Sequence, residues 1–342
     1  MPAPAGTDRV PAARSNDGAL RLMSPRWRGQ AGRLEVWYCT LSDPASGIGL
    51  WVHHETVAPS RGAGRRRLPL RSDAPGDDGT APFAHGWVAA FVPGRRPVLE
   101  RFGPVPVLSG ALPGSDGWRF AGQRVSGAAG ALKWDLSWDD AGDPLWTFPA
   151  WAWEREILPA AHVVIAPTAR FGGTLDVDGV PVDVAQAPGS VARIYGHGNA
   201  ERWGWLHGEL GGGDAIEVVT ATPHRRGLNR LRPLAFVRLR HAGRDWPSPQ
   251  LATAPLFRTT FGDLAWSVSG TVGRLRLRAD VTMNEESAVE IGYVDPDGTT
   301  ATCTNSELAD AEVLLERRRE RWEVVASWTL QGTAHAEIGR RP

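Results

Sequence analysis

Residues 203–210 read Trp-Gly-Trp-Leu-His-Gly-Glu-Leu. Alternate side chains of a strand share one face, so Trp203, Trp205, His207 and Glu209 project together. The same Trp-x-His-x-Glu spacing recurs at Trp51, His53 and Glu55. An imidazole and a carboxyl group set among indoles can move protons. Desolvation raises a carboxyl pKa toward neutrality, where the group serves as a general acid. Indole faces stabilise a cation formed on a substrate by about 0.5–2 kcal/mol each. Two more carboxylates lie among tryptophans: Asp135 between Trp134 and Trp138, and Glu154 after Trp151 and Trp153. The acid–base candidates are therefore Glu209, His207, Glu55, Asp135 and Glu154. The candidate ligand contacts are Trp203, Trp205, Trp51, His53, Trp134 and Trp151, with Tyr195 and Asn305 able to hydrogen-bond a ligand carbonyl. Each also has a structural role open to it. Strand carboxylates commonly pair with arginine, and arginine supplies every basic side chain here except Lys133.

Other chemistries lack their signatures. The chain has no Gly-x-x-x-x-Gly-Lys phosphate loop, no Gly-x-Ser-x-Gly elbow and no His-Glu-x-x-His pair. His53, His54, His85, His197 and His207 follow no metal-ligand spacing, so neither a metal nor another cofactor is expected. Cys39 and Cys303 cannot build a disulfide framework, and their spacing leaves open whether they pair. The 38 basic and 38 acidic residues cancel, which argues against nucleic acid or an anionic membrane as the main partner. The arginine runs 65–67 and 317–319 read as solvated turns. No apolar run of membrane-spanning length occurs, and the N-terminus lacks a signal-peptide core. A cytoplasmic protein without stable membrane insertion, monomeric or homodimeric, is expected.

The elements that must position these residues are strands. Helical periodicity is scarce, and short alternating runs bounded by Gly, Pro, Asp and Asn predominate, the pattern of an all-β protein. Strands are expected at 33–41, 49–57, 85–93, 97–103, 117–125 and 132–138, then on both sides of an Asp178-Gly179 hairpin turn. A second series at 203–210, 215–222, 234–241, 257–270, 273–281, 288–294, 299–305, 310–317 and 321–330 reads as an up-and-down barrel. One short helix of about nine residues fits between Pro149 and Pro159. The Gly/Pro-rich stretch 59–84 is long enough to be a mobile loop or a lid. Sixteen tryptophans suit a roomy aromatic-lined cavity, or else fill a β core. The division expected is a disordered tail over 1–17, a first domain over 18–196 and a second over 197–342. The Trp-x-His-x-Glu echo suggests that the two domains are related modules.

Four blocks carry a family resemblance: "YGHGNA" leading into "RWGWLHGEL", "LWTFPAWAWEREILP" at 145–159, "GTLDVDG" at 173–179, and "YVDPDGTTATCTNSE" at 293–307. Together they resemble the double-lipocalin superfamily of carotenoid 1,2-hydratases, tocopherol cyclases and fungal Diels–Alderase-type cyclases. The resemblance implies two lipocalin-like antiparallel β-barrels packed together, with a hydrophobic pocket for a polyene, isoprenoid or polyketide-like ligand. It also implies cofactor-free chemistry: protonation of an alkene with capture of the cation, or pericyclic ring closure. A fold does not fix an activity, so three functions stay open. These are a hydratase, cyclase or isomerase working through a buried acid; a carrier that binds such a ligand unchanged; and a structural or interaction module with solid barrels.

Overall fold

The computed structural model describes residues 21–61, 81–108, 114–115, 117–139, 142–156, 158–224, 227 and 229–342. The tail 1–17 and most of the 59–84 stretch, with its arginine run, lie outside the described residues. Two large antiparallel sheets account for nearly all regular structure. The first comprises β1 (Arg33–Asp43), β2 (Ile48–Ala58), β3 (Phe83–Phe91), β4 (Val98–Pro106), β5 (Gly114–Ser115), β6 (Trp118–Ala121), β7 (Arg124–Ala129), β8 (Leu132–Asp139), β9 (Leu145–Trp146), β10 (Ala160–Val177) and β11 (Val180–Gly196). The second comprises β12 (Arg202–Gly211), β13 (Asp214–Thr222), β14 (Leu234–His241), β15 (Arg244–Trp246), β16 (Phe257–Phe261), β17 (Ala265–Val272), β18 (Leu275–Thr282), β19 (Val289–Val294), β20 (Thr300–Arg318) and β21 (Trp322–Arg340). Among the described residues, helix is confined to residues 21–23, the six-residue α1 (Ala150–Arg155), the single turn α2 (Gln250–Thr253) and two 3-10 turns at Ala254–Leu256 and Glu285–Ser287.

Both sheets follow one plan. Strand order is β4-β3-β2-β1-β11-β10-β8 in the first and β15-β14-β13-β12-β21-β20-β18 in the second, so the opening strand of each pairs with its last. Contacts of β4 with β7 and of β14 with β16 curl each sheet into a lipocalin-like barrel. The shared order makes β12 the counterpart of β1. The two Trp-x-His-x-Glu runs therefore occupy non-corresponding strands, β2 and β12, and their echo is not a trace of the repeat.

Four expected elements differ in extent, each for a local reason. The 117–125 run is the β6–β7 hairpin, turned at Gly122 with a left-handed φ of 60°. The 257–270 run is a hairpin, turned where Gly262 N–H donates to Ala265 O at 2.7 Å. The 299–305 and 310–317 runs are one strand, β20, whose register shifts between Ser306 and Ala309. A bulge resets the alternation, which makes one bent strand read as two. The helix stops after six residues because Glu156 adopts a left-handed φ of 51°.

Alternation divides every central strand. Trp37, Cys39 and Leu41 of β1 enter the first barrel, joining Trp118, Trp134, Trp138 and Phe171. Leu34, Val36 and Tyr38 face the other way, toward Trp205. Leu206 of β12 enters the second barrel with Ile216, Trp266 and Leu277. Much of the tryptophan thus fills cores. The outer faces of β1, β2 and β3 meet those of β20 and β21, and β10 meets β13, forming a buried seam between the barrels. Gly339 makes room there, since a Cβ would lie 2.0 Å from the Trp203 ring. Cys39 and Cys303 are both buried and free.

Candidate active site between the barrels

The face that carries Trp203, Trp205 and His207 points into the seam, and all three side chains are buried. Across β13, β12 and β21, Glu217 pairs with His207, and His207 with His335. Directly opposed antiparallel residues have Cβ atoms about 4.5–5.5 Å apart, so these groups form a ladder. Glu307, in the β20 bulge, completes it: His335 Nδ1 donates to Glu307 Oε1. At the other end His207 Nδ1 donates to Glu217 Oε2 at 2.8 Å, while Trp205 Nε1 donates to Oε1. The resulting row is Glu217–His207–His335–Glu307. One level along, Glu337 accepts from Asn305 Nδ2 at 3.1 Å and Trp203 Nε1 at 3.3 Å, and its Oε1 lies 3.6 Å from His335 Nε2.

Electrostatics follow from this packing. Burial alone would lower the His335 pKa, but Glu307 and Glu337 raise it to about 10. The Trp205 ring, 4.1 Å away centre to centre, adds a cation–π contact. Burial lifts Glu307 the other way, to about 7, against the pull of His335. Tyr38 donates to or accepts from His162 Nε2 at 2.5 Å, and His162 Nδ1 meets Thr147 Oγ1 at 2.7 Å. Burial raises the Tyr38 pKa well above its ordinary value and lowers that of His162.

A cleft of about 280 Å³ opens beside the ladder. Thr40, Leu41, Ser42 and Pro44 form its β1 wall; Arg170 and Gln186 come from the long β10–β11 hairpin, and His207, Glu209 and His335 from the second barrel. The Nε2 atom of His207 makes no hydrogen bond, and that of His335 has only the 3.6 Å approach of Glu337. Buried polar atoms are nearly always satisfied, so the unbonded His207 Nε2, on a residue that lines the cleft, is available to a ligand. Gln186 also lines the cleft. It sits in a β11 bulge opposite Gly172 with a left-handed φ of 55°, which costs a non-glycine residue about 1–2 kcal/mol. Gln186→Gly is expected to raise stability by about 0.5–1 kcal/mol in urea denaturation while weakening ligand retention in the cleft. Unchanged ligand retention would leave the strain without a purpose.

The candidates read from sequence are dispersed. Glu209 sits at the cleft rim in a bidentate pair with Arg170 of the first barrel. Trp203, Trp205 and Asn305 lie behind the cleft wall. Glu55 is buried elsewhere in the seam between His53 Nε2 at 3.1 Å and His85 Nε2 at 3.4 Å. Burial pushes its pKa up, yet those histidines bring it to about 2, so it stores no proton near neutral pH. Trp51 packs beside it in the seam, and Trp134 in the first core. Asp135 is bound to Arg124 Nε at 2.6 Å on the exterior, and Glu154 and Trp151 are exposed. Tyr195, buried under the Arg26 guanidinium at 4.7 Å, belongs to a separate small pocket beside α1. His335, Glu307, Glu217, Glu337, Tyr38 and His162 were missed. Among the described residues no three His, Cys, Asp or Glu groups form a metal-holding cluster, and no helix is long and apolar enough to cross a membrane.

Two packed lipocalin-like barrels with a polar seam define a double-lipocalin protein. The tocopherol cyclase-like family model matches residues 115–340, and the chain belongs to that family. Two Mycobacterium tuberculosis proteins, Rv0493c of strain H37Rv and MT0513 of strain CDC 1551, are each 49% identical to it over 338 residues, covering 98% of this chain and 94% of theirs. The fold is similar to that of NE1406 from Nitrosomonas europaea, described as an AttH, with a TM-score of 0.59 and 13% identity over 97% of this chain and 98% of that one. It is also similar to that of CghA, with a TM-score of 0.55 and 14% identity over 90% of this chain and 88% of that one.

Proposed function

We propose that the protein binds an oxygenated hydrophobic molecule, of isoprenoid or polyketide type, in the inter-barrel cleft and promotes its cofactor-free cyclisation or isomerisation. The observation that carries this reading is His335: a buried imidazole in the cleft wall, held protonated between the carboxylates of Glu307 and Glu337. An imidazolium with a pKa near 10 is too weak an acid to protonate a plain alkene. It is well suited to donate a hydrogen bond to a carbonyl and stabilise the charge that develops on oxygen. Glu307, near 7, is the group poised to pass a proton at physiological pH. Pro44 and Pro188 offer apolar contacts for the rest of the molecule. Ring closure and double-bond migration next to a carbonyl both fit this arrangement better than hydration of an isolated alkene.

Native mass spectrometry of the purified protein, followed by extraction, tests the reading. A carbonyl-bearing hydrophobic molecule whose mass is retained but whose structure changes on incubation supports it. A ligand released chemically unchanged points to a carrier, and a protein that takes up no such molecule in its cleft overturns both.

A further inference from the structure

We propose that the β20–β21 tip and the adjoining β17–β18 turn dock the protein on an anionic lipid surface. The backbone fixes these turns side by side, with Arg318 N–H donating to Arg274 O at 2.8 Å. Six arginines meet there, Arg274, Arg276, Arg317, Arg318, Arg319 and Arg321, against three glutamates. Glu316 is taken by Arg276 and Glu323 by Arg319. Among the described residues, Arg274, Arg317, Arg318 and Arg321 have no carboxylate partner. In a chain with no net charge, this is a local concentration of positive charge and not a general basicity. Guanidinium groups bind phosphate in bidentate fashion.

Beside them two large apolar side chains face solvent, Val324 at 63% and Val325 at 38% exposure. Charge next to exposed aliphatic surface is the combination that suits a headgroup layer with acyl chains beneath it. Nucleic acid is the poorer match. The only indole at the tip, Trp322, is covered by Arg276 at 4.3 Å, so no base-stacking platform is presented. The site lies apart from the cleft and does not depend on what the cleft does.

Co-sedimentation with phosphatidylcholine vesicles, with and without phosphatidylglycerol, tests the proposal. The protein is expected to pellet with the mixed vesicles only and to be released by high salt. Each unpaired arginine is worth about a fivefold change in partitioning. The combined Arg317→Glu, Arg318→Glu, Arg321→Glu variant should therefore bind at least 100-fold more weakly, and Val324→Ser should weaken binding without altering its salt dependence. All of these residues are exposed, so near-ultraviolet circular dichroism should match the parent. Free glycerol phosphate should not compete. Equal binding to neutral vesicles, parental binding by the triple variant, competition by glycerol phosphate, or displacement of vesicles by duplex DNA would each overturn the proposal.

Discussion

Glu307→Gln is expected to lower turnover of the cleft ligand by about a hundred- to ten-thousand-fold, with little change in ligand affinity. The amide keeps the size of the side chain but removes the charge that holds the His335 proton and the carboxyl that exchanges it. The His335 pKa should then move from about 10 toward the ordinary histidine range, which a titration of its ring resonances would record. His335→Gln should produce the same loss of turnover with no such titration to follow. Glu209→Gln is the comparison. Glu209 is held by Arg170 at the rim, so its loss should alter affinity more than rate. If Glu307→Gln and His335→Gln turn the ligand over at the parental rate while still binding it, the ladder is structural and the acid lies elsewhere.

Stability should fall as pH rises from near neutrality to 10. His335 is raised from 6.5 to about 10, so its contribution is complete below 6.5 and lost as pH climbs through 10. Glu307 is raised from 4.5 to about 7. The folded state therefore holds its proton more tightly than the unfolded one, and stability falls from 4.5 through 7. Both groups act in one direction, and the coupled pair accounts for a few kcal/mol between pH 5 and 10. Glu55 acts oppositely: depressed to about 2, it stabilises above 4.5 and ceases to do so as pH falls through 2. Maximum stability is thus expected on the mildly acidic side of neutrality. Urea denaturation across pH should show the alkaline limb, and His335→Gln should flatten it. A limb unchanged in that variant would place the titrating group outside the ladder.

Much of the fold was legible because strand alternation is local. The β12 sequence showed that Trp203, Trp205 and His207 share a face, and they do. It could not show where that face points, because a barrel strand with one apolar side and one mixed side ordinarily exposes the mixed side to water. Here a second barrel covers it. His335 and Glu307 were illegible for a different reason. Their meeting with His207 depends on pairing the first strand of a barrel with its last, a contact between distant parts of the chain. Glu307 is further disguised by the bulge that shifts register at Ser306. Asp135 and Glu154 show the converse: a carboxylate beside tryptophan in sequence is turned away from it by alternation on β8 (Asp135) and by helical rotation on α1 (Glu154).

The ladder's four members all belong to the second barrel, and the first barrel braces the row at two points: Ser42 Oγ donates to the Glu307 carbonyl at 2.5 Å, and His162 Nδ1 lies 3.6 Å from Glu217 Oε1. Away from those two points, Thr40, Pro44, Arg170 and Gln186 of the first barrel face the cleft without touching the row. Substitutions at these positions reshape the wall that chooses a molecule, leaving the proton-holding row intact; substitutions in the ladder change what happens to a molecule already chosen. Chimeras that exchange the cleft-facing segments of the first barrel between this chain and its mycobacterial relatives would transfer selectivity without transferring chemistry. A lineage built this way can explore new ligands by altering one half while the other is held still.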